Sequence, residues 1–107
     1  MVRKPVNLRT ELPLTAIEVF CRRWRIARLE VFGSALRGDF GPGSDVDFLY
    51  TFSPEAHWGL GFIDVWEELE QIVGRKVDLV SRRAVERTHN WIRRQAILDS
   101  AELLYAA

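Results

Sequence analysis

The sequence is poor in cysteine, in long apolar runs and in net charge, and each shortage excludes a class of protein. Cys21 is the one cysteine, so neither an intramolecular disulfide nor a cysteine-rich zinc site can form. No apolar run approaches membrane-spanning length and the N-terminus lacks a signal-peptide core, which predicts a cytoplasmic protein without a membrane partner. Fifteen basic and fifteen acidic residues cancel, so we expect no direct nucleic-acid binding.

The length and the apolar content predict a single folded domain that begins with a helix. With 107 residues, 48% of them hydrophobic, the chain is expected to form one domain over residues 1–107. Thr15 and Glu18 match the capping box that opens a helix. Apolar residues then recur at helical spacing from Ile17 to Trp24, which should face the core.

Three stretches have the composition of β-strands. Residues 28–32 alternate polar and apolar side chains, as a half-buried strand does. Residues 45–52 and 76–80 are rich in β-branched and aromatic residues. Gly33 is expected to end the first of these strands.

Helical patterns separate the predicted strands. Residues 62–73 carry an apolar stripe with Gly74 as the C-cap, and residues 83–99 are predicted to be mainly helical. The segment ELLY at 102–105 is predicted as a short edge strand. Strands alternating with helices favour an α/β (α+β) fold, a small mixed sheet of three to four strands with helices packed against it.

Asp45 and Asp47 form an unusual pair at the start of the second predicted strand. Alternation along a strand projects both carboxylates to the same side, while Val46 points away. Two like charges so close repel, and the pair must be solvated, protonated or bound to a cation. An oxygen-only ligand set suits a hard ion such as Mg²⁺. The alternative is an ordinary solvated pair.

Asp78 is a third carboxylate, in the middle of the apolar strand VDLV. Aspartate is depleted in strand interiors, so its presence needs a reason. If strand 76–80 pairs beside strand 45–52, Asp78 joins the other two aspartates. Three carboxylates could hold two metal ions, the arrangement used for in-line phosphoryl chemistry. The alternative is a surface residue of an edge strand.

Gly33 and Ser34 fall where a strand is expected to turn into a helix. Glycine permits a positive φ and close backbone approach, and the unpaired N–H groups of such a turn attract anions. The hydroxyl of Ser34 can add a hydrogen bond to a phosphate oxygen. Arg37 could reach a phosphate or a carboxylate, or could equally pair with Asp39. No P-loop string occurs in the sequence.

With these residues in place, the sequence resembles the nucleotidyltransferase superfamily that includes DNA polymerase β. The resemblance rests on FGS at 32–34, ten intervening residues, DVDF at 45–48 and VDLV at 77–80. Within the superfamily, the chain is similar over about residues 15–105 to the minimal nucleotidyltransferases, the MNT antitoxins that are paired with HEPN-domain toxins.

The resemblance implies a nucleotidyltransferase fold and an enzyme that transfers AMP from ATP to a hydroxyl of a HEPN toxin, with a tyrosine as the expected acceptor. It implies two Mg²⁺ ions, with Mn²⁺ as the alternative, and a homo- or hetero-oligomer. The residues that would hold the metals and carry the catalysis are Asp45, Asp47 and Asp78. The residues that would bind the nucleotide are Gly33, Ser34, Arg37 and Ser44.

Two other functions stay open. The chain could neutralise its partner by binding alone, or could transfer a nucleotide to a small molecule.

Residues outside the motifs also have two interpretations. The arginines of the C-terminal section are solvated helix faces, or some of them contact a triphosphate or an acidic partner. Trp58 and Phe62 could form an interface or pack on the following helix, and Trp91 is predicted to lie in the core.

Overall fold

The computed structural model describes residues 12–33, 45–54 and 61–107. The helices of these ranges are α1 (Leu14–Arg23), α2 (Phe62–Val73), α3 (Arg82–Glu86) and α4 (Trp91–Ser100). The strands are β1 (Ile26–Phe32), β2 (Val46–Phe52), β3 (Val77–Ser81) and β4 (Glu102–Ala106). Within these ranges, no helix has both the length and the apolar character needed to cross a membrane.

The strands form one mixed sheet in the order β3-β2-β1-β4. β1 is antiparallel to both β2 and β4, whereas β2 and β3 are parallel. A parallel pair needs a long crossover, and α2 lies in the connection between these two strands. The predicted mixed sheet of three to four strands is confirmed, with the C-terminal segment as an edge strand.

One face of the sheet, which we call the core face, packs against α1 and α2. Its buried side chains from the helices are Ile17, Phe20, Cys21, Val65 and Leu69. Burial, with the nearby charge of Glu18 adding to it, raises the pKa of the Cys21 thiol to about 12. The lone cysteine therefore stays protonated and is a packing residue rather than a nucleophile.

Helix α2 has the bounds that the sequence predicts. Gly74 follows it in the left-handed region with φ 78°, and its N–H donates to the carbonyl of Glu70 at 2.8 Å. Glycine accepts this conformation without the steric penalty of a Cβ, so a local signal fixes the end of the helix.

The predicted capping box at the start of α1 is wrong. The helix begins at Leu14, its N-cap is Pro13, and no side chain caps it. The carbonyl of Pro13 accepts the first helical hydrogen bond, from the N–H of Ile17 at 3.0 Å. Thr15 therefore lies inside the first turn, where its hydroxyl cannot act as the cap, and Glu18 pairs with Arg22 instead.

The stretch predicted as mainly helical over 83–99 is divided into two helices. Ser81 caps α3, accepting a hydrogen bond from the N–H of Ala84 at 3.2 Å. Asn90 caps α4, accepting from the N–H of Arg93 at 3.1 Å. Each cap starts a new helix, and residues 87–90 form the turn between them.

Candidate active site

The register of the sheet brings two of the predicted aspartates together. Asp47 lies opposite Phe32 of β1 on one side and opposite Asp78 of β3 on the other. Directly paired residues share a face of the sheet, so the two carboxylates project from the same face. We call it the site face. The expectation that strand 76–80 lies beside strand 45–52 is confirmed.

Asp45 lies two residues before Asp47, next to the start of β2. It immediately precedes β2 and is exposed. The N–H of Val46 donates to the carbonyl of Lys76 at 3.0 Å, at the point where the pairing of β2 with β3 begins. Asp45 therefore stands at the end of the sheet where Asp47 and Asp78 lie.

A cleft of about 310 Å³ opens beside this pair, between the site face and the α3–α4 layer. A neighbouring cleft of about 240 Å³ also includes Asp47 and extends to Gly33 and Ser100. The two clefts share Phe32, Asp47, Arg93 and Ile97. Carboxylates thus form one wall of an open space, and the last helix forms the other.

Gly33 lies directly against one of these carboxylates. Its φ is 83°, and a Cβ at this position would overlap the Oδ2 atom of Asp47 and lie 3.1 Å from its Cγ. The sequence predicts glycine here for a positive φ and for close backbone approach, and the structure shows both. The contact with Asp47 was not predicted.

The carboxylates offer the right donor atoms for a hard cation, but they are not gathered around one point. Among the described residues, no group of three or more histidine, cysteine, aspartate and glutamate side chains could hold a metal ion as placed. Asp47 and Asp78 are paired by the register, and Asp45 is near them in sequence. Oxygen donors on neighbouring strands fit Mg²⁺ chemically, and the three-carboxylate site stays a prediction.

Several predicted residues lie outside the described ranges, so their positions are not compared with the predictions. They are the predicted nucleotide ligands Ser34, Arg37 and Ser44, together with Asp39 and Trp58.

Sequence reasoning missed Glu30, which lies on the site face of β1 and is only 3% exposed. Its two carboxylate oxygens accept hydrogen bonds from Nη1 of Arg82 at 2.8 and 2.6 Å, and Nε of Arg28 lies 3.1 Å away. The strand predicted for 28–32 is confirmed as part of β1, but its polar side is not fully exposed, because Arg82 at the start of α3 covers Glu30. The sequence signal that could have indicated this buried ion pair is a glutamate flanked by apolar residues in a strand.

The Arg82 guanidinium joins this glutamate to α3. It also donates to Glu86 at 3.0 Å. Burial disfavours the charge of Arg82, but the hydrogen bonds and charges of Glu30 and Glu86 outweigh it and raise the pKa above its ordinary value. Arg82 is thus a structural residue, not one available to a ligand.

Two aromatic predictions have different outcomes. Phe62 packs against Tyr50 and Trp66, with ring centroids 5.9 and 5.6 Å away, which confirms the packing interpretation. Trp91, predicted in the core, is wrong: its side chain is 63% exposed at the start of α4. No residue of α4 is fully buried, although Ile97 and Leu98 pack partly buried against the site face.

The fold and the site combine a small mixed sheet with paired aspartates beside an open cleft. The chain belongs to the nucleotidyltransferase domain family, whose sequence pattern matches residues 15–104. Proteins of this family generally use divalent metals.

The chain is also similar to individual members of the family. It is 39% identical over 64 residues to the protein adenylyltransferase MntA of Thermococcus cleftensis, an alignment that spans 60% of this chain and 64% of that protein. A solved structure provisionally described as a minimal nucleotidyltransferase is 29% identical, with a TM-score of 0.66 over 94% of this chain and 95% of that one.

A third similarity concerns the fold alone. The solved complex of a tri-AMPylated Shewanella oneidensis HEPN toxin with an MNT antitoxin contains a chain that is 17% identical to this one. Its TM-score is 0.58, covering 88% of this chain and 70% of that one.

Proposed function

We propose that this protein transfers AMP from ATP to the hydroxyl of a tyrosine in a HEPN-domain toxin, and thereby acts as the antitoxin of that toxin. The observation that carries the proposal is the pairing of Asp47 with Asp78 beside an open cleft. Membership of the nucleotidyltransferase family and similarity to a protein adenylyltransferase support it. The need for ATP agrees with the cytoplasmic location predicted from the sequence.

The proposed reaction is an in-line displacement at the α-phosphorus of ATP. The acceptor oxygen forms a bond to phosphorus, the bond to the bridging oxygen of the β-phosphate breaks, and pyrophosphate leaves. Asp78 would accept the proton of the attacking hydroxyl on a carboxylate oxygen; its exposure at the cleft supports this role. The backbone of Gly33 fixes the position of the Asp47 carboxylate from the opposite side.

Divalent metal ions would be held by Asp45, Asp47 and Asp78, and we propose two Mg²⁺, with Mn²⁺ as a substitute. When bound, such ions neutralise phosphate charge and lower the pKa of the acceptor hydroxyl. The predicted nucleotide ligands Gly33, Ser34, Arg37 and Ser44 complete the proposal. Residues 1–107 would act as one domain, and the partner would supply the acceptor surface.

Replacing Asp47 by asparagine tests the assignment, because the amide keeps the shape but loses the charge. We expect the Asp47→Asn variant to lose transfer by more than about 100-fold, since even groups that only support metal ligands contribute about 10–100-fold. The measurement is the intact mass of the co-expressed toxin, which should gain AMP groups with the wild-type protein. Asp64→Asn, an exposed change on α2, is the matched control and should keep full transfer.

An Asp47→Asn variant that modifies the toxin at the wild-type rate would contradict the proposed site. If that variant still neutralises the toxin without any gain in mass, the protein acts by binding alone.

A further inference from the structure

Arg93 is the cationic residue on the helical wall of the cleft. It lines both parts of the cleft together with Asp47, and the other described lining residues are neutral or acidic. No ion pair or side-chain hydrogen bond joins its guanidinium to any residue that the structure describes. A charged group beside two carboxylates is therefore available to a ligand.

The neighbouring arginines are occupied or lie elsewhere. Arg82 is bound to Glu30 and Glu86, and Nη1 of Arg94 donates to the carbonyl of Thr88 at 3.1 Å. Arg83 is exposed and lines a separate depression with Thr51, at the other end of the site face. Arg93 thus differs from them in being both unengaged and beside the aspartates.

Helix stability does not explain this residue. Asn90 caps α4 through the N–H of Arg93, which places the side chain in the first turn of the helix. The positive end of the helix dipole disfavours a cation there, and no acidic residue of that turn offsets it. The cap fixes the position of the Arg93 backbone at the start of α4. A ligand for its guanidinium would bind in the cleft.

We propose that the Arg93 guanidinium binds the β- and γ-phosphates of the nucleoside triphosphate. This inference rests on the proposed function. The α-phosphate has to lie against the aspartates, where the reaction occurs, so the cation on the facing wall meets the phosphates beyond it. Gly33 and Arg93 border the same part of the cleft, and a triphosphate chain between them would be held from both sides.

The chemistry of the leaving group gives the arginine a role in the reaction. Pyrophosphate gains negative charge as the bond to the α-phosphorus breaks, and a cation beside it stabilises that charge. A planar guanidinium can bind two phosphate oxygens at once, which an ammonium group cannot do in the same geometry.

Nucleotide affinity, measured by calorimetry on the purified protein with Mg²⁺ present, tests the proposal without requiring turnover. We expect Arg93→Gln to weaken ATP binding about 10–100-fold, the effect of losing one or two charge-assisted hydrogen bonds. Affinity for AMP should stay unchanged, because AMP lacks the two outer phosphates. Arg93→Lys should recover part of the loss, and Arg83→Gln, the matched control, should bind ATP as the wild type does.

The outcomes separate this inference from the proposed function. Equal ATP affinity in Arg93→Gln and wild type overturns the inference, even if AMP transfer to the toxin persists. Weaker association with the toxin at unchanged ATP affinity also overturns it, and assigns Arg93 to the acceptor. Arg93-dependent ATP binding without any AMP transfer supports the inference and contradicts the proposed function. A wild-type protein that binds no ATP overturns both.

Discussion

At the scale of single residues, the site depends on the contact between Gly33, which has no side chain, and the Asp47 carboxylate. Gly33 places backbone where any other residue would place a Cβ, and the Asp47 carboxylate occupies that space. Gly74 has nearly the same backbone conformation, with φ 78°, but nothing lies within 4 Å of a Cβ built there. The two glycines therefore separate backbone strain from steric exclusion.

The pair gives a matched experiment. We expect Gly33→Ala to lower the free energy of unfolding by about 1–3 kcal/mol and to reduce AMP transfer strongly, because the methyl group displaces the Asp47 carboxylate. Gly74→Ala should cost about 1–2 kcal/mol from strain alone and keep its transfer activity. Urea denaturation and the transfer assay measure the two effects. Equal activity in both variants would show that the position of the Asp47 carboxylate does not depend on Gly33.

At the scale of secondary-structure elements, α3 is attached to the sheet by a buried ion pair and by one buried apolar residue. Glu30 on β1 and Arg82 on α3 form the attachment, and Val85 is the buried apolar residue of the helix. Since α3 follows β3 directly, the same ion pair joins β1 to the C-terminal end of the strand that carries Asp78. Removing Arg82 leaves the buried Glu30 carboxylate with Arg28 as its remaining cation, and a buried charge that loses its main partner costs more than the pair itself contributes.

Arg82→Met should therefore destabilise the protein by about 3 kcal/mol, the lower end of the range for buried pairs, because Arg82 is a quarter exposed. The double variant Glu30→Met/Arg82→Met should recover much of that loss, since the buried carboxylate is removed together with its main partner. Arg83→Met, on the exposed side of α3, is the control and should change stability by less than about 0.5 kcal/mol. Denaturation midpoints of the four proteins measure this. A double variant less stable than Arg82→Met would contradict the explanation.

Local signals were sufficient for some elements and misleading for others. The bounds of α2 could be predicted because Gly74 ends the helix by a property of its own backbone. The start of α1 could not, because Thr15 has the right residue type but lies two residues after Pro13, the N-cap of the helix. The break between α3 and α4 has a local signal, the Asn90 cap, which the apolar pattern concealed.

The candidate site was predictable where a charged residue stands in a segment that is otherwise typical of a buried strand. Asp78 in an apolar strand indicated the pairing with Asp47 that the sheet shows. The burial of Glu30 depends on a residue 52 positions away in sequence, and no local pattern encodes that contact. The roles of Ser34, Arg37 and Ser44 stay predictions.

At the scale of the whole molecule, the two faces of the sheet are covered unequally. The core face is packed by α1 and α2 and holds most of the buried apolar residues. The site face has a small cluster, Phe32, Leu49 and Val85, with partly buried residues of α4 around it. The layer that forms the second wall of the cleft is thus the less firmly held part of the described structure.

Hydrogen exchange should show this difference. We expect the amides of α4 to exchange much faster than those of α2, because local opening of α4 exposes little apolar surface. Saturating ATP should slow exchange in α4 and leave α2 unchanged, since Arg93 joins the helix to the ligand. Exchange monitored by mass spectrometry gives both rates. An α4 as protected as α2 without nucleotide would contradict the unequal stability of the two layers.

The absence of fully buried residues in α4 also bears on how such a protein can diversify. Most substitutions on this helix leave the packing of the sheet untouched, whereas those on α2 disturb the main core. Apart from Arg93, the wall of the cleft can therefore change its chemistry from one lineage to another, while Asp47 and Asp78 remain on strands that the opposite face holds in place. A chain built in this way can acquire a new acceptor without rebuilding its fold.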